Sequence, residues 1–153
     1  MTQRVEDVLQ AGCDACRRHA WREAFDLLKA ADASGALAPE DLERLADAAW
    51  WTGRLADCIA ARDRAYAGYI ESGNPRRAAL MAGEQARNYF QKGDASVAMA
   101  WLKRANRLLQ QEPESLEHGY LMRINAVVAI EDKKPREGAD AGPASLRHRR
   151  ALP

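Results

Sequence analysis

The chain has 153 residues, 29% of them charged, and a formal net charge of +1. This length buries one core of moderate size, so we expect one domain. The balanced charge gives no field that favours nucleic acid or an acidic membrane surface. No run of apolar residues spans a bilayer, the first residues lack the apolar core of a signal peptide, and three cysteines make no disulfide framework. We therefore expect a cytoplasmic, reduced protein that contacts neither membrane nor nucleic acid.

Helix-forming residues dominate the chain, and no segment alternates as a strand would. Gly35, Gly53 and Gly73 mark helix ends, since glycine tolerates the left-handed conformation of a C-cap. Pro39 and Pro75 open helices in the first turn, where the missing N–H is not needed. These signals predict about seven helices. They cover approximately residues 2–18, 21–33, 39–51, 55–72, 75–92, 95–112 and 114–131.

Small residues recur along these helices at fixed intervals. The three copies of the pattern are Gly12, Ala24 and Ala31, then Ala46, Cys58 and Ala65, then Ala86, Ala98 and Ala105. The interval is 34 residues from the first copy to the second and 40 from the second to the third. A period of this size is typical of stacked helical hairpins. The six additional residues fall between Ala65 and Ala82, which predicts a fourth helix about a turn and a half longer than the second.

The three copies resemble the tetratricopeptide repeat, whose pattern is W-x2-L-G-x2-Y, then A-x3-F, then P. The matching segments are Val8-x2-Ala11-Gly12, Leu42-x2-Leu45-Ala46, Ala82-x2-Gln85-Ala86, Ala24-x3-Leu28, Cys58-x3-Arg62 and Ala98-x3-Leu102. Gly53 and Gly93 match the turn glycine of the family, where the first copy has His19, and Arg62 replaces the expected aromatic residue. The resemblance implies an all-α fold, a right-handed α-solenoid of antiparallel helical hairpins at about residues 2–34, 39–73 and 75–112.

Several segments are also similar to the tetratricopeptide-type regions of bacterial transcriptional regulators that carry a LuxR-type helix-turn-helix. These segments are residues 21–25, 41–51, 53–55, 98–105 and 117–121. In such regulators the array is an interaction or regulatory module attached to an output domain. The resemblance implies a truncated or stand-alone module without a DNA-binding domain, formed by residues 1–131, whose partner is another protein or a peptide.

The first helices of such a solenoid line its concave face, and the family resemblance implies that a peptide or partner helix binds there. Aromatic and arginine side chains usually dominate the energy of these contacts. The predicted groove consists of Cys16, Arg17, Glu43, Asp47, Trp50, Trp51, Arg87, Phe90, Gln91, Tyr120 and Arg123. The alternative function is a regulatory domain that senses a small molecule in this Trp-lined groove.

The spacing Cys13-x2-Cys16-x2-His19 invites a metal or redox interpretation. A structural zinc site needs four ligands, and the sequence offers no second pair. We therefore interpret these residues as ordinary helix positions and predict no metal and no cofactor. Because no nucleophile–base arrangement, phosphate loop or carboxylate pair stands out, we also predict that the protein is not an enzyme.

The seventh helix, about residues 114–131, is predicted to lack a partner helix. Its apolar residues would then be exposed, which predicts self-association of two copies. The residues expected to form that homodimer surface are Leu121, Ile124, Val127, Val128 and Ile130. Residues 132–153 have few large apolar side chains and a basic end, so we predict a disordered tail, the alternative being that its basic end contacts nucleic acid.

Overall fold

The computed structural model describes residues 2–35 and 37–133, and all of its regular elements there are helices. The helices are α1 Thr2–Arg17, α2 Trp21–Ser34, α3 Pro39–Trp51, α4 Leu55–Glu71, α5 Pro75–Lys92, α6 Ala95–Leu109 and α7 Leu116–Lys133. Successive helices pack as the pairs α1–α2, α3–α4 and α5–α6, and each pair packs against the next. The prediction of an all-α solenoid of hairpins is therefore confirmed.

The small residues of the repeat lie at the contacts between helices. All nine are buried, and eight of them are exposed by 1% or less. A Cβ atom at the ninth, Gly12, would lie 2.9 Å from Cδ2 of Leu28 on the partner helix. A methyl group does not fit at that distance unless the leucine moves. The size of these residues thus sets how closely the two helices of a hairpin approach, as the sequence pattern predicted.

The six additional residues between the second and third copies are divided between two helices. Measured from the repeat positions, α4 continues three residues further than α2, α5 begins four residues earlier than α3, and the connection between the two helices is one residue shorter. The prediction that α4 alone absorbs them is therefore wrong. The extension lengthens the end of α4 and the start of α5 together, because both helices continue past the point where α2 ends and α3 begins.

The turns inside the hairpins share one backbone conformation. His19, Gly53 and Gly93 follow the first helix of their hairpins with φ of 57°, 74° and 88°. His19 thus adopts the left-handed conformation that glycine supplies in the other two copies, which strains a residue with a side chain. Gly73 is also left-handed, with φ of 72°. Gly35 ends α2 with φ of 178°, so the predicted left-handed cap is wrong there and the backbone is extended.

Helix α7 begins later than predicted, at Leu116, because His118 fixes the chain before it. The backbone N–H of Ser115 donates to Nδ1 of His118 at 3.1 Å, and Nε2 of His118 lies 3.0 Å from the carbonyl oxygen of Leu109 at the end of α6. At its other end α7 includes Asp132 and Lys133, so the predicted tail boundary at residue 132 is wrong by two residues. The predicted disorder of residues 134–153 lies outside the described residues.

Helix α7 packs mainly on α5, as the first helix of a fourth hairpin would. Leu121, Ile124 and Val128 are at most 5% exposed and belong to the same apolar cluster as residues of α5. Gly83 on α5 permits this contact, because a Cβ atom there would lie 2.9 Å from Cδ1 of Ile124.

The prediction that Leu121, Ile124 and Val128 form a surface between two copies is therefore wrong, because they are core residues of their own chain. Val127 and Ile130, which belong to the same prediction, are exposed by 47% and 59%. Self-association stays a prediction that now rests on these two side chains.

Candidate functional site

Seven of the predicted groove residues surround one cleft, which we call the central cleft. Its volume is about 650 Å³. The predicted residues that line it are Glu43, Asp47, Trp50 and Trp51 of α3, Arg87 of α5, and Tyr120 and Arg123 of α7. Three first helices, which are separated in the sequence, thus bring aromatic and charged side chains together on one face of the solenoid.

Phe90 and Gln91 line a second opening, which we call the distal cavity, with a volume of about 660 Å³. Trp50 and Arg87 line both spaces, so the distal cavity continues the central cleft. The structure does not bring Cys16 or Arg17 into either space. Cys16 is half-buried against the apolar core, and Arg17 is exposed and pairs with Asp14.

Arg62 is a residue of the site that the predicted groove omits. Its side chain is 4% exposed and reaches from α4 to the floor of the cleft. Nη2 donates to Oδ1 of Asp47 at 3.0 Å, and Nη1 donates to Oδ1 of Asn88 at 3.2 Å and lies 3.5 Å from Oε2 of Glu84. The signal that could have revealed it is the charge at a position where the repeat pattern expects an aromatic residue.

Glu43 is held in place from two sides. The hydroxyl of Tyr69 donates to Oε2 of Glu43 at 2.8 Å, and the guanidinium of Arg77 forms an ion pair with the other carboxylate oxygen. Burial raises the pKa of Tyr69, and the bond to the Glu43 carboxylate raises it further. The phenol therefore stays protonated and keeps donating at physiological pH, which fixes the orientation of this carboxylate.

Arg87 connects the acidic floor of the cleft to its aromatic wall. Its Nη1 lies 3.0 and 3.1 Å from the two carboxylate oxygens of Glu84, and its guanidinium lies 5.3 Å from the ring centre of Trp50. The guanidinium of Arg123 lies 5.4 Å from the ring centre of Tyr120. Such contacts stabilise exposed cations by about 0.5–1 kcal/mol, so both arginine heads are positioned before any ligand arrives.

The surroundings of Asp47 disfavour the charged form of its carboxyl group. Desolvation by the cleft walls raises its pKa, Arg62 opposes that effect, and the carboxylates of Glu43 and Glu84 add to it. Its side chain is still 48% exposed. Asp47 therefore offers a ligand a carboxylate that gains from a new hydrogen-bond donor.

The two adjacent tryptophans have different surroundings. Trp50 is half-buried against the core and faces Arg87. Trp51 is 64% exposed, and its ring stacks on Trp21 with centroids 6.0 Å apart. Trp21 stacks in turn on His19 at 5.2 Å. Trp51 therefore presents a large apolar surface at the edge of the central cleft, held by a stack from the preceding hairpin.

The Cys13–Cys16–His19 segment forms no metal cluster, and residues 2–35 and 37–133 contain no group of three or more potential ligands. The thiol of Cys13 donates to Oδ1 of Asp41 at 3.7 Å. Burial raises the pKa of both Cys13 and Cys16, so their thiols stay protonated at neutral pH. Over the same residues, no helix has the length and apolar character needed to cross a bilayer.

Comparison with known proteins identifies the fold and nothing further. No protein-family model matches the sequence, and no curated protein matches it. Among the solved structures that match is the Yersinia enterocolitica type III secretion translocator chaperone SycD, with a TM-score of 0.63, 16% identity, and coverage of 85% of this chain and 91% of that chain. The similarity to LuxR-type regulators stays a prediction. What the comparison shows is that the chain has the tetratricopeptide-like, all-helical fold of this chaperone.

Proposed function

We propose that the chain is a protein-interaction scaffold, with a regulatory role, whose central cleft binds a peptide segment of a partner protein. The observation that carries this proposal is the convergence of Trp50, Trp51, Arg87, Tyr120 and Arg123 from three helices on one cleft. Tryptophan, tyrosine and arginine are the residue types that most often dominate the energy of protein interfaces. The similar fold of a translocator chaperone supports a protein as the ligand.

The cleft fits a ligand of mixed character. Trp51 supplies exposed apolar surface, while Glu43, Asp47 and Glu84 supply carboxylates that arginines already hold in place. A site whose polar groups are positioned in advance loses little side-chain freedom on binding, which raises affinity. An extended or helical segment with apolar anchors and both donor and acceptor groups matches this arrangement.

Peptide selection tests the proposal. A random peptide library displayed on phage is selected against the full chain, and the affinity of enriched peptides is measured by fluorescence anisotropy. We expect Trp51→Ala and Arg123→Ala to weaken binding about tenfold, because both side chains are exposed at the cleft. Ile70→Ala is the matched control, since Ile70 is 45% exposed on α4 and lines neither the central cleft nor the distal cavity. Enriched peptides whose affinity neither cleft variant changes would contradict the proposal.

A small-molecule sensor is the second candidate. The cleft volume of about 650 Å³ lies within the range of roughly 300–1,000 Å³ typical of small-ligand sites. Titration of the full chain with a metabolite library, followed through tryptophan fluorescence, separates the two candidates. Saturable quenching that Trp51→Ala abolishes, together with no enriched peptide, would favour the sensor.

A further inference from the structure

Helix α7 is apolar on two opposite sides, and only one of them is covered by residues 2–35 and 37–133. Leu121, Ile124 and Val128 pack against α5, whereas Met122 and Ile130 on the other side are exposed by 72% and 59%. Exposed apolar side chains that share one face of a helix are typical of a surface that contacts another element. The exposed side of α7 therefore has the composition of a surface that another element covers.

The repeat geometry gives the shape of an element that would fit this side. Ala126 lies 40 residues after Ala86, so it occupies the position at which Gly12, Ala46 and Ala86 each receive the second helix of their hairpin. Those three residues are buried, and Ala126 is exposed. The small side chain permits a helix to approach closely. The uncovered place is thus a slot for one helix, at the position that the second helix of a hairpin occupies in the other three copies.

The wall of this slot is formed by α6. Asn106 and Asn125 join the two helices through reciprocal amide hydrogen bonds of 3.1 and 3.2 Å. Lys103 and Met99 lie three and seven residues before Asn106, on the same side of α6. We call the surface formed by Met99, Lys103, Met122, Ala126, Ile130 and Lys133 the terminal slot.

The rim of the terminal slot is basic. Lys103 and Lys133 are exposed, as is Arg107 one turn after Lys103 on α6, and none of the three has an acidic partner among residues 2–35 and 37–133. The acidic residues near the end of α7, Glu131 and Asp132, line the distal cavity on another side of the helix. The slot thus combines an apolar floor with a positively charged rim.

We propose that the terminal slot seats an amphipathic helix with acidic flanks, contributed by a partner protein. Charge complementarity favours this occupant over two alternatives, a second copy of the chain and the segment formed by residues 134–153. In a second copy, the same basic rim would face itself. Residues 134–153 hold five Lys or Arg against two Asp or Glu, so that segment carries the wrong charge for the rim. Like charges that face each other across an interface disfavour association.

Two synthetic peptides test the charge requirement. Both have the sequence of residues 95–109, because α6 is the helix that fills the equivalent place on Ala86. One peptide keeps Lys103, Arg104 and Arg107, and the other has Lys103→Glu, Arg104→Glu and Arg107→Glu. We expect the acidic peptide to bind the full chain at least about tenfold more tightly in fluorescence anisotropy at low salt, because three exposed charge pairs replace three repulsions. Equal affinities, or no binding of the acidic peptide, would overturn the proposal.

Variants of the chain locate the binding site. Ala126→Arg fills the crossing point and is expected to weaken the acidic peptide at least about tenfold, since a long side chain keeps the helices apart. Ala100→Arg is the matched control, because Ala100 is exposed on the same helix as Lys103 but away from Asn106. Lys103→Glu combined with Lys133→Glu is expected to reverse the preference between the peptides.

Circular dichroism verifies that each variant is folded. Two further outcomes would overturn the proposal: an equal loss of binding in Ala100→Arg, or a dimer of the unmodified chain in sedimentation that Ala126→Arg dissociates. The second of these would assign the slot to another copy of the chain.

Discussion

The two junctions between successive hairpins are built from different chemistry. Helices α2 and α3, which meet at the junction of the first and second hairpins, bury only apolar side chains, and the ion pair of Arg64 with Asp32 lies near the surface. Between the second and third hairpins the chain buries Arg62, Gln85, Glu84 and Asn88. The central cleft opens at this second, polar junction.

The polar junction is stabilised by a network of hydrogen bonds. Gln85 donates to the carbonyl oxygen of Ile59 at 2.9 Å and to Oδ1 of Asp63 at 2.6 Å, and it accepts from Asn88 at 2.8 Å. Buried polar groups cost free energy unless they are paired, so such a network admits few arrangements of the two hairpins. The central cleft therefore lies at the junction where buried polar groups, rather than apolar contacts alone, fix the orientation of one hairpin relative to the next.

The largest effect is expected from removing the centre of the polar junction. Arg62→Ala leaves the buried Glu84 and Asn88 with fewer partners, and breaking a buried ion pair typically costs about 3–5 kcal/mol. Urea denaturation followed by circular dichroism measures the free energy of unfolding. A decrease in the free energy of unfolding of less than about 1 kcal/mol would show that water replaces the guanidinium and that the network contributes little to stability.

A cavity in the apolar core of the first hairpin is expected to lower the free energy of unfolding. Leu28→Ala removes a fully buried side chain, and such changes cost about 2–5 kcal/mol. Because Leu28 lies outside the central cleft, peptides selected on the cleft should keep their affinity for the folded variant, whereas Arg62→Ala should weaken them. An equal loss of peptide affinity in both variants would contradict the assignment of the site to the second junction.

A smaller effect is expected from the ion pair at the surface of the apolar junction. Arg64 donates to both carboxylate oxygens of Asp32 at 2.7 and 2.9 Å, and its side chain is 48% exposed. Exposed pairs of this kind contribute about 0–1 kcal/mol. Arg64→Ala should therefore lower the free energy of unfolding by less than about 1 kcal/mol, and a difference that persists undiminished in concentrated salt would contradict an electrostatic origin.

The smallest effect is expected at Asp47 and depends on pH. Since its pKa is raised in the folded state, the folded protein binds this proton more tightly than the unfolded chain does. Stability from this group therefore increases as the pH falls through its folded pKa, and the ionised form costs stability at neutral pH. Asp47→Asn should be slightly more stable than the unmodified chain near pH 7. The difference in Tm should shrink as the pH is lowered, and a difference independent of pH would contradict this cause.

Helix ends and the groove were largely predictable from sequence because local signals encode them. The small residues of the repeat fix the hairpins, and the first-helix positions of Glu43, Trp50 and Tyr120 follow from the period. The polar junction was not predictable, because Gln85 and Asn88 resemble exposed helix residues until α4 and α5 are placed together. Cys16 was wrongly predicted to line the groove, because the cleft begins at α3. Ile124 was wrongly predicted to be exposed, because the packing of α7 on α5 is a long-range contact that local sequence signals do not encode.

The six residues that break the repeat period have a consequence for the chemistry of the cleft. Tyr69 lies four residues after Ala65, and the equivalent position in the preceding copy is Gly35. Arg77 lies nine residues before Ala86, and its equivalent is Leu37. Neither Gly35 nor Leu37 belongs to a helix. Both side chains that hold Glu43 thus come from the extension. An array with a strictly uniform period would leave this carboxylate free to rotate, so the irregular copy converts a generic helical surface into one with a directed hydrogen-bond acceptor.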